Sequence, residues 1–149
     1  LADYGGCLQS GGSTALYDAT ENAVVSTTHY AQKLAAGDFS ANAILFVITD
    51  GMDNVSKSSA LRVKAALAEA IRSEALESIV SVLIGVNVNE TEVSKYLNRF
   101  HTQAGFTQYV EVDNADTKTL ARLAEFVSRS ISAQSQALGS GGASQPLVF

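Results

Sequence analysis

Residues 43–49 of the sequence read AILFVIT and run directly into residues 50–54, DGMDN. A nearly continuous apolar run rich in Ile and Val is typical of a strand that is buried on both faces of a parallel sheet. A second run of this kind, IVSVLI, occupies residues 79–84, and a weaker, alternating run, TQYVEV, occupies residues 107–112. These three runs predict the strands of one sheet.

Segments with helical periodicity lie before, between and after the predicted strands. Apolar residues recur three and four positions apart over residues 14 to about 36, 59–76, 90–103 and 116 to about 134. This alternation of helices and strands predicts a three-layer α/β/α fold with a doubly wound, mostly parallel sheet of the Rossmann-like kind. The apolar positions are Leu61, Ala65, Leu67, Ala68 and Ile71 in the second helix, and Leu120, Leu123, Val127 and Ile131 in the last.

The predicted sheet is short, because an average sheet has about five or six strands. One strand–helix–strand unit takes about 30 residues, so the sheet is short by two or three strands, and we expect these N-terminal strands to be missing from this chain. Residues 1–134 would then be the C-terminal portion of a domain. Residues 135–149 are expected to form a Gly- and Ser-rich tail, whose apolar end, residues 147–149, is predicted to anchor in an apolar groove.

Composition narrows the class of protein. The chain has 149 residues, enough for one domain, and its 46 % hydrophobic and 17 % charged residues exclude a disordered chain. Its net charge of −5, with no block of Lys or Arg, argues against nucleic acid as a partner. The longest apolar run is far short of the roughly 20 residues that a membrane span requires. The single cysteine, Cys7, cannot close a disulfide within one chain, which fits a cytoplasmic location.

Residues 50–54 supply two carboxylates, an amide and a glycine at the end of the first predicted strand. Ligands of open parallel sheets bind outside the carboxyl ends of the strands, and clustered hard oxygens suit Mg²⁺ or Ca²⁺. The alternative is an acidic tight turn in which Asp53 or Asn54 satisfies loop amides. Taken alone, this segment leaves both interpretations open.

A second motif, GGSTALYDA, occupies residues 11–19. Ser13 or Thr14 is predicted to cap the helix that follows, and Asp18 suits the positive end of its dipole. Together with residues 44–54, ILFVITDGMDN, this motif resembles the von Willebrand factor type A domain family. Residues 83–87, LIGVN, look like the family's next strand with its Ile-Gly-Val turn. The resemblance extends to about residue 131 and is greater to intracellular bacterial and phage members than to integrins or collagen-binding members.

The resemblance implies a metal-ion-dependent adhesion site with three parts. Thr14 matches the family's threonine before a helix, and Asp50 matches its aspartate at the end of a strand. The family's remaining part, an Asp-x-Ser-x-Ser loop, has no match in this sequence. We therefore expect Mg²⁺, or Mn²⁺ or Ca²⁺ in its place, to bind weakly or not at all to this chain alone. Further residues expected at the rim of the site or behind its ligands are Ser13, Gly51, Asp53 and Asn54.

The function that the resemblance implies is protein–protein interaction, in which the metal takes an acidic group of a partner protein. Self-association or assembly with another chain is a further expectation, since the site is incomplete. One alternative is a structural subunit of an assembly whose metal site has lapsed. Another is a metal-dependent phosphohydrolase that uses Asp50 and Asp53, but His29 and His101 both fall in predicted helices, away from the strand ends. We expect that this protein is not an enzyme.

Overall fold

The computed structural model describes residues 13–88, 91–140, 142 and 149, and Cys7 lies outside them. Within them, four helices and a three-stranded parallel sheet confirm the predicted α/β class. The elements are α1 (Leu16–Ala35), β1 (Asn42–Thr49), α2 (Ala60–Arg72), β2 (Ser78–Val86), α3 (Thr91–Ala104), β3 (Gln108–Val112) and α4 (Thr117–Gly139).

The strands lie in the order β1-β2-β3, and β2 is buried between its neighbours. Thr49 of β1 is paired with Gly85 of β2, and Val86 of β2 is paired with Val112 of β3. Because the pairing is parallel and in step, the carboxyl ends of all three described strands meet at one edge of the sheet. The loop that begins at Asp50 lies at this edge.

Helices cover both faces of the sheet, as predicted. On one face α1, α2 and α3 pack around Leu83, and the rings of Phe100 and Phe106 meet edge to face at 5.1 Å. On the other face α4 packs against the opposite side chains of the strands, and Phe126 meets Phe46 of β1 at 6.2 Å. The core is therefore divided by the sheet into two apolar clusters.

The buried faces of α2 and α4 differ from the predicted ones. Leu61 and Ile71 of α2 are 69 % and 62 % exposed, and Leu120 and Ile131 of α4 are 45 % and 46 % exposed. Ala65 and Ala68 of α2, which were also predicted to face the core, are exposed as well, whereas Ala60 and Ala70 face inwards, where α2 packs against α1 and α3. The buried positions are Ala60, Val63, Leu67 and Ala70 in α2, and Leu123, Phe126, Ser130 and Gln134 in α4.

Two helix ends also differ from prediction. The second helix ends at Arg72 and not near residue 76, because Glu74 adopts a left-handed conformation with φ 53°. Ala75 and Leu76 are still buried, but in the connection to β2. The last helix continues to Gly139, past the predicted boundary at residue 134.

The chain's last residue packs on α4. The Phe149 ring meets Phe126 edge to face at 5.3 Å, and the Arg122 guanidinium lies 5.4 Å from the Phe149 ring centroid. Leu147 and Val148, the other residues of the predicted anchor, lie outside the described residues.

Gly85 lies inside β2 and not in a turn, since the strand continues to Val86 and the turn begins at Asn87, with φ 60°. A Cβ at position 85 would lie 2.8 Å from Cδ1 of Leu97 and 2.7 Å from Cγ2 of Val88. Leu97 is fully buried, so it has little room to move aside.

We expect Gly85→Ala to lower the free energy of unfolding by about 1–3 kcal/mol, the usual cost of overpacking a core. Urea denaturation measures this change. Gly139→Ala is the control, because nothing lies within 4 Å of a Cβ at that position. Equal stabilities for the Gly85 variant and the unmodified chain would contradict the close approach of β2 to α3.

Candidate functional site

The loop after β1 is hydrogen-bonded to the start of α1, which brings the two sequence motifs together. The backbone N–H of Asn54 donates to the carbonyl of Thr14 at 3.0 Å, and the Thr14 N–H donates to Oδ1 of Asn54 at 2.7 Å. One turn along the helix, the Tyr17 N–H donates to Oδ2 of Asp53 at 3.0 Å. Thr14 is thereby held beside the segment that contains Asp50.

Asp53 caps α1 from outside the helix. The N-cap residue is Ala15, which makes no side-chain cap, so the prediction that Ser13 or Thr14 caps this helix is wrong. The first N–H groups of a helix have no partner within it, and here Asp53 accepts from Tyr17, 36 residues away in sequence. Its negative charge also lies at the positive end of the helix dipole.

Asp53 and Asn54 act as the alternative interpretation of residues 50–54 predicts, in which these side chains accept hydrogen bonds from backbone amides. Oδ1 of Asp53 accepts from the N–H of Ser56 at 3.1 Å, and the Ser56 hydroxyl donates to Oδ2 of the same carboxylate. Ser56 in turn accepts from the Asp18 N–H at 3.0 Å. Asp53 and Asn54 are therefore engaged in joining the loop to the helix.

Asp18 of α1 binds the loop in the opposite sense, as an acceptor on the helix for donors on the loop. Its carboxylate accepts from the N–H groups of Ser58 at 2.8 Å and Lys57 at 3.1 Å. Further along α1, Glu21 accepts from the Ser58 hydroxyl and forms an ion pair with Arg62 at 3.0 Å. Thus a loop carboxylate accepts hydrogen bonds from α1, and two α1 carboxylates accept hydrogen bonds from the loop. Together these bonds fix the loop over several residues.

A pair of tyrosines supports the first turn of α1 from α3. The Tyr96 hydroxyl donates to the Tyr17 hydroxyl, and the Tyr17 ring meets Phe100 edge to face at 4.8 Å. Burial, followed by this hydrogen bond, raises the pKa of Tyr96, so the hydroxyl stays protonated. Tyr96 was not identified from the sequence, because no local pattern connects two residues 79 positions apart.

The pKa of Asp53 reflects opposing effects. Burial by itself would raise the pKa of this carboxyl, but hydrogen bonds from the Ser56 hydroxyl and from the N–H groups of Tyr17, Ser56 and Leu16 outweigh it and lower the pKa below 3.8. The carboxylate is therefore ionised at neutral pH, which is the form that accepts hydrogen bonds from α1.

Thr14 and Asp50 differ from Asp53 in how their side chains are engaged. Thr14 is half-buried and Asp50 is exposed, and within the described part of the chain neither the Thr14 hydroxyl nor the Asp50 carboxylate makes a hydrogen bond or ion pair. Gly51 is held in the turn, where its carbonyl accepts from the Thr49 hydroxyl at 3.0 Å. Ser13 is exposed. Among the described residues, therefore, no hydrogen bond or ion pair engages these two oxygen-bearing side chains near the carboxyl edge of the sheet.

The Thr14 and Asp50 side chains are ligands of the type that Mg²⁺ prefers, but two of them are too few to complete its coordination. A hydroxyl and a carboxylate are hard oxygen donors, but Mg²⁺ requires a nearly complete octahedron of them. Asp53 and Asn54 are occupied by the helix and the loop. Among residues 13–88 and 91–140 there is no group of three or more His, Cys, Asp or Glu side chains that could hold a metal ion.

Comparisons of the chain with protein-family models, with curated proteins and with solved structures gave no match. Among the helices of the described residues, none combines the length and the apolar character needed to cross a membrane.

Removing the Asp53 carboxylate tests its role as a cap. We expect Asp53→Ala to lower the free energy of unfolding by about 1–2 kcal/mol, the usual effect of losing a helix cap. Asp50→Ala is the matched control, because this nearby carboxylate is exposed and makes no such bonds, and its effect should stay within about 0.5 kcal/mol. Urea denaturation of both variants gives the comparison, and equal losses would contradict the capping role.

The same carboxylate should make stability depend on pH. Because folding lowers the pKa of Asp53, its contribution is present above the pKa of the unfolded chain and is lost as the pH falls through the folded value. The stability difference between the unmodified chain and Asp53→Asn should therefore shrink between about pH 5 and pH 2. Urea denaturation across this range measures it, and a difference that stays constant would show that Asp53 is not the titrating group.

Proposed function

We propose that this chain is part of a protein-interaction module of the von Willebrand factor type A kind, with a metal-ion-dependent adhesion site at the carboxyl edge of its sheet. The observation that supports the proposal is the paired hydrogen bonding of Thr14 with Asn54, at 2.7 and 3.0 Å. Through it, the segments that carry the two matched motif residues, Thr14 and Asp50, are joined. The loop's other carboxylate, Asp53, is used in capping α1.

Two properties of these residues suit such a site. The Thr14 hydroxyl is a neutral oxygen donor, and Asp50 contributes a single negative charge from an exposed position. A divalent cation held by few charged ligands keeps a strong attraction for a further anion. Bound there, Mg²⁺ would take a carboxylate of a partner protein. Asp50 would balance part of the metal charge, and the Asn54 contacts would keep Thr14 in place.

We propose further that the site is complete only when additional oxygen donors are supplied. The family resemblance implies that these come from an Asp-x-Ser-x-Ser loop, which this sequence lacks. They would come from a segment outside these 149 residues or from another chain. Mg²⁺, Mn²⁺ and Ca²⁺ all accept hard oxygen ligands, so the proposal does not separate them. A cytoplasmic location remains part of the proposal.

The second candidate function is a structural subunit of an assembly whose metal site has lapsed. The shortage of donors among the described residues favours it. A phosphohydrolase that uses Asp50 and Asp53 as paired metal ligands is disfavoured, because both oxygens of Asp53 are engaged with Tyr17 and Ser56. We therefore propose a binding function and not an enzymatic one.

Calorimetric titration of Mg²⁺ and Mn²⁺ tests the proposal. The metals are titrated into the 149-residue chain and into a chain lengthened at its N-terminus by a segment that contains an Asp-x-Ser-x-Ser loop. We expect weak or absent binding to the first and clear binding to the second. In the longer chain, Asp50→Ala should abolish binding, and Thr14→Ala should weaken it by about tenfold or more.

Asp113→Ala is the matched control, because Asp113 follows β3 in the way that Asp50 follows β1 and is likewise exposed. This variant should bind metal like the unmodified protein. Binding that survives Asp50→Ala would show that the ligand assignment is wrong. Binding to neither form of the chain would contradict the adhesion site and favour the structural subunit.

A further inference from the structure

A small crevice of about 130 Å³ lies between α3 and the first turn of α1. Tyr96, Arg99, Phe100 and Gln103 of α3 line it, together with Tyr17 of α1. The α3 residues recur three and four positions apart, so they lie on one face of the helix. A guanidinium, an amide and aromatic side chains are thereby gathered around one opening.

Arg99 differs from the other arginines in its contacts. Each of the other four contacts a side chain, which is a glutamate for Arg62, Arg72 and Arg129 and an aromatic ring for Arg122. The exposed Arg99 guanidinium makes no hydrogen bond, ion pair or ring contact within the part of the chain that the structure describes. A guanidinium carries five N–H donors and a permanent positive charge, and here no described residue uses them.

Two further donors of the crevice have no acceptor among the described residues. The amide of Gln103, one helical turn after Arg99, makes no hydrogen bond with any of them. The Tyr96 hydroxyl accepts from the Asp53 backbone and donates to the Tyr17 hydroxyl. Because the Tyr17 oxygen accepts this bond, its own proton remains for another acceptor, which no described residue provides.

The charge and the size of the crevice limit what it can bind. Its lining supplies one positive charge, from Arg99, and contains no acidic residue. One negative charge would be balanced there, whereas a phosphate group with about −1.5 to −2 charges would be balanced only in part, on a chain whose net charge is already −5. Pockets for drug-sized ligands begin at about 300 Å³, so this crevice admits a single small group.

We propose that this crevice binds one carboxylate group of a ligand, held by the Arg99 guanidinium, the Tyr17 hydroxyl and the Gln103 amide. A guanidinium can pair with a carboxylate through two parallel N–H···O bonds. The hydroxyl and the amide would add hydrogen bonds without adding charge. None of these residues belongs to the proposed adhesion site, so the crevice is a second site for an acidic group, and binding to it requires no metal.

The probes are acetate, which is the carboxylate alone, and N-acetyl-glutamate N-methylamide, which carries it on a side chain. Each is titrated into the ¹⁵N-labelled 149-residue chain without divalent metal and followed by the amide NMR shifts of residues 17, 99 and 103. N-acetyl-glutamine N-methylamide is the neutral control probe. We expect saturable shifts with both carboxylates and none with the neutral probe. Equal affinities would indicate a small free carboxylate as the ligand, and tighter binding of the glutamate probe would indicate a protein side chain.

Substitutions assign the binding to the crevice. We expect Arg99→Gln to weaken binding by about tenfold or more, and Tyr17→Phe, which removes only the hydroxyl, by about threefold. Lys95→Gln is the matched control, because Lys95 is an exposed cation on the same helix and lies outside the crevice. It should bind both carboxylates like the unmodified chain. The remaining amide shifts of each variant show whether its fold is kept.

Several outcomes would overturn the proposal. Equal losses in Arg99→Gln and Lys95→Gln would show only a general attraction of anions to positive charge. Absent shifts, or equal shifts with the neutral probe, would show that no carboxylate binds. Asp3 and Glu90 lie outside the described residues, and tighter probe binding in Asp3→Asn or Glu90→Gln would show that the chain's own carboxylate occupies the crevice. None of these results would alter the metal titration.

Discussion

The carboxylate of Asp53 at the amino end of α1 is the interaction on which the candidate site depends. The sheet fixes the end of β1, because Thr49 is paired with Gly85. Asp53 then fixes the first turn of α1 relative to that strand end by accepting from Tyr17. A free helix end has unsatisfied N–H groups and a partial positive charge, so a half-buried carboxylate there both accepts hydrogen bonds from those groups and balances that charge.

Three positions separate Asp50 from Asp53, yet the backbone gives the two residues different roles. Asp53 points to helix N–H groups, and its hydrogen bonds outweigh the effect of burial on its pKa. Asp50 stays exposed, and no described group neutralises it. A cation would therefore gain more from Asp50, whose charge is uncompensated, than from Asp53, whose oxygens are already engaged. This difference supports the proposed ligand role of Asp50, which the family resemblance implies.

The strands and the order of elements could be predicted from the sequence, because continuous apolar runs depend mainly on burial in a parallel sheet. The cap of α1 could not be predicted from the sequence. Ser13 and Thr14 are the better candidates locally, whereas Asp53 is separated from the start of α1 by the helix itself, β1 and part of a loop. The buried face of α2 was also misjudged. Leu61 and Ile71 are more apolar than Ala60 and Ala70, but close packing between α1 and α3 favours the small side chains there. The assignment of Thr14 and Asp50 as metal ligands stays a prediction, and only tertiary contacts show that Asp53 and Asn54 are engaged with α1 and the loop.

No described strand pairs with the outer edge of β1, and the carboxyl end of β1 leads directly into the segment that carries Asp50. All described pairings in the sheet are parallel. If a strand added beside β1 also runs parallel, its carboxyl end reaches the edge where Thr14 and Asp50 lie, and the residues that follow it can supply oxygens. An antiparallel strand would place its amino end there instead. The direction of such a strand therefore decides whether it can contribute oxygens to the proposed metal site.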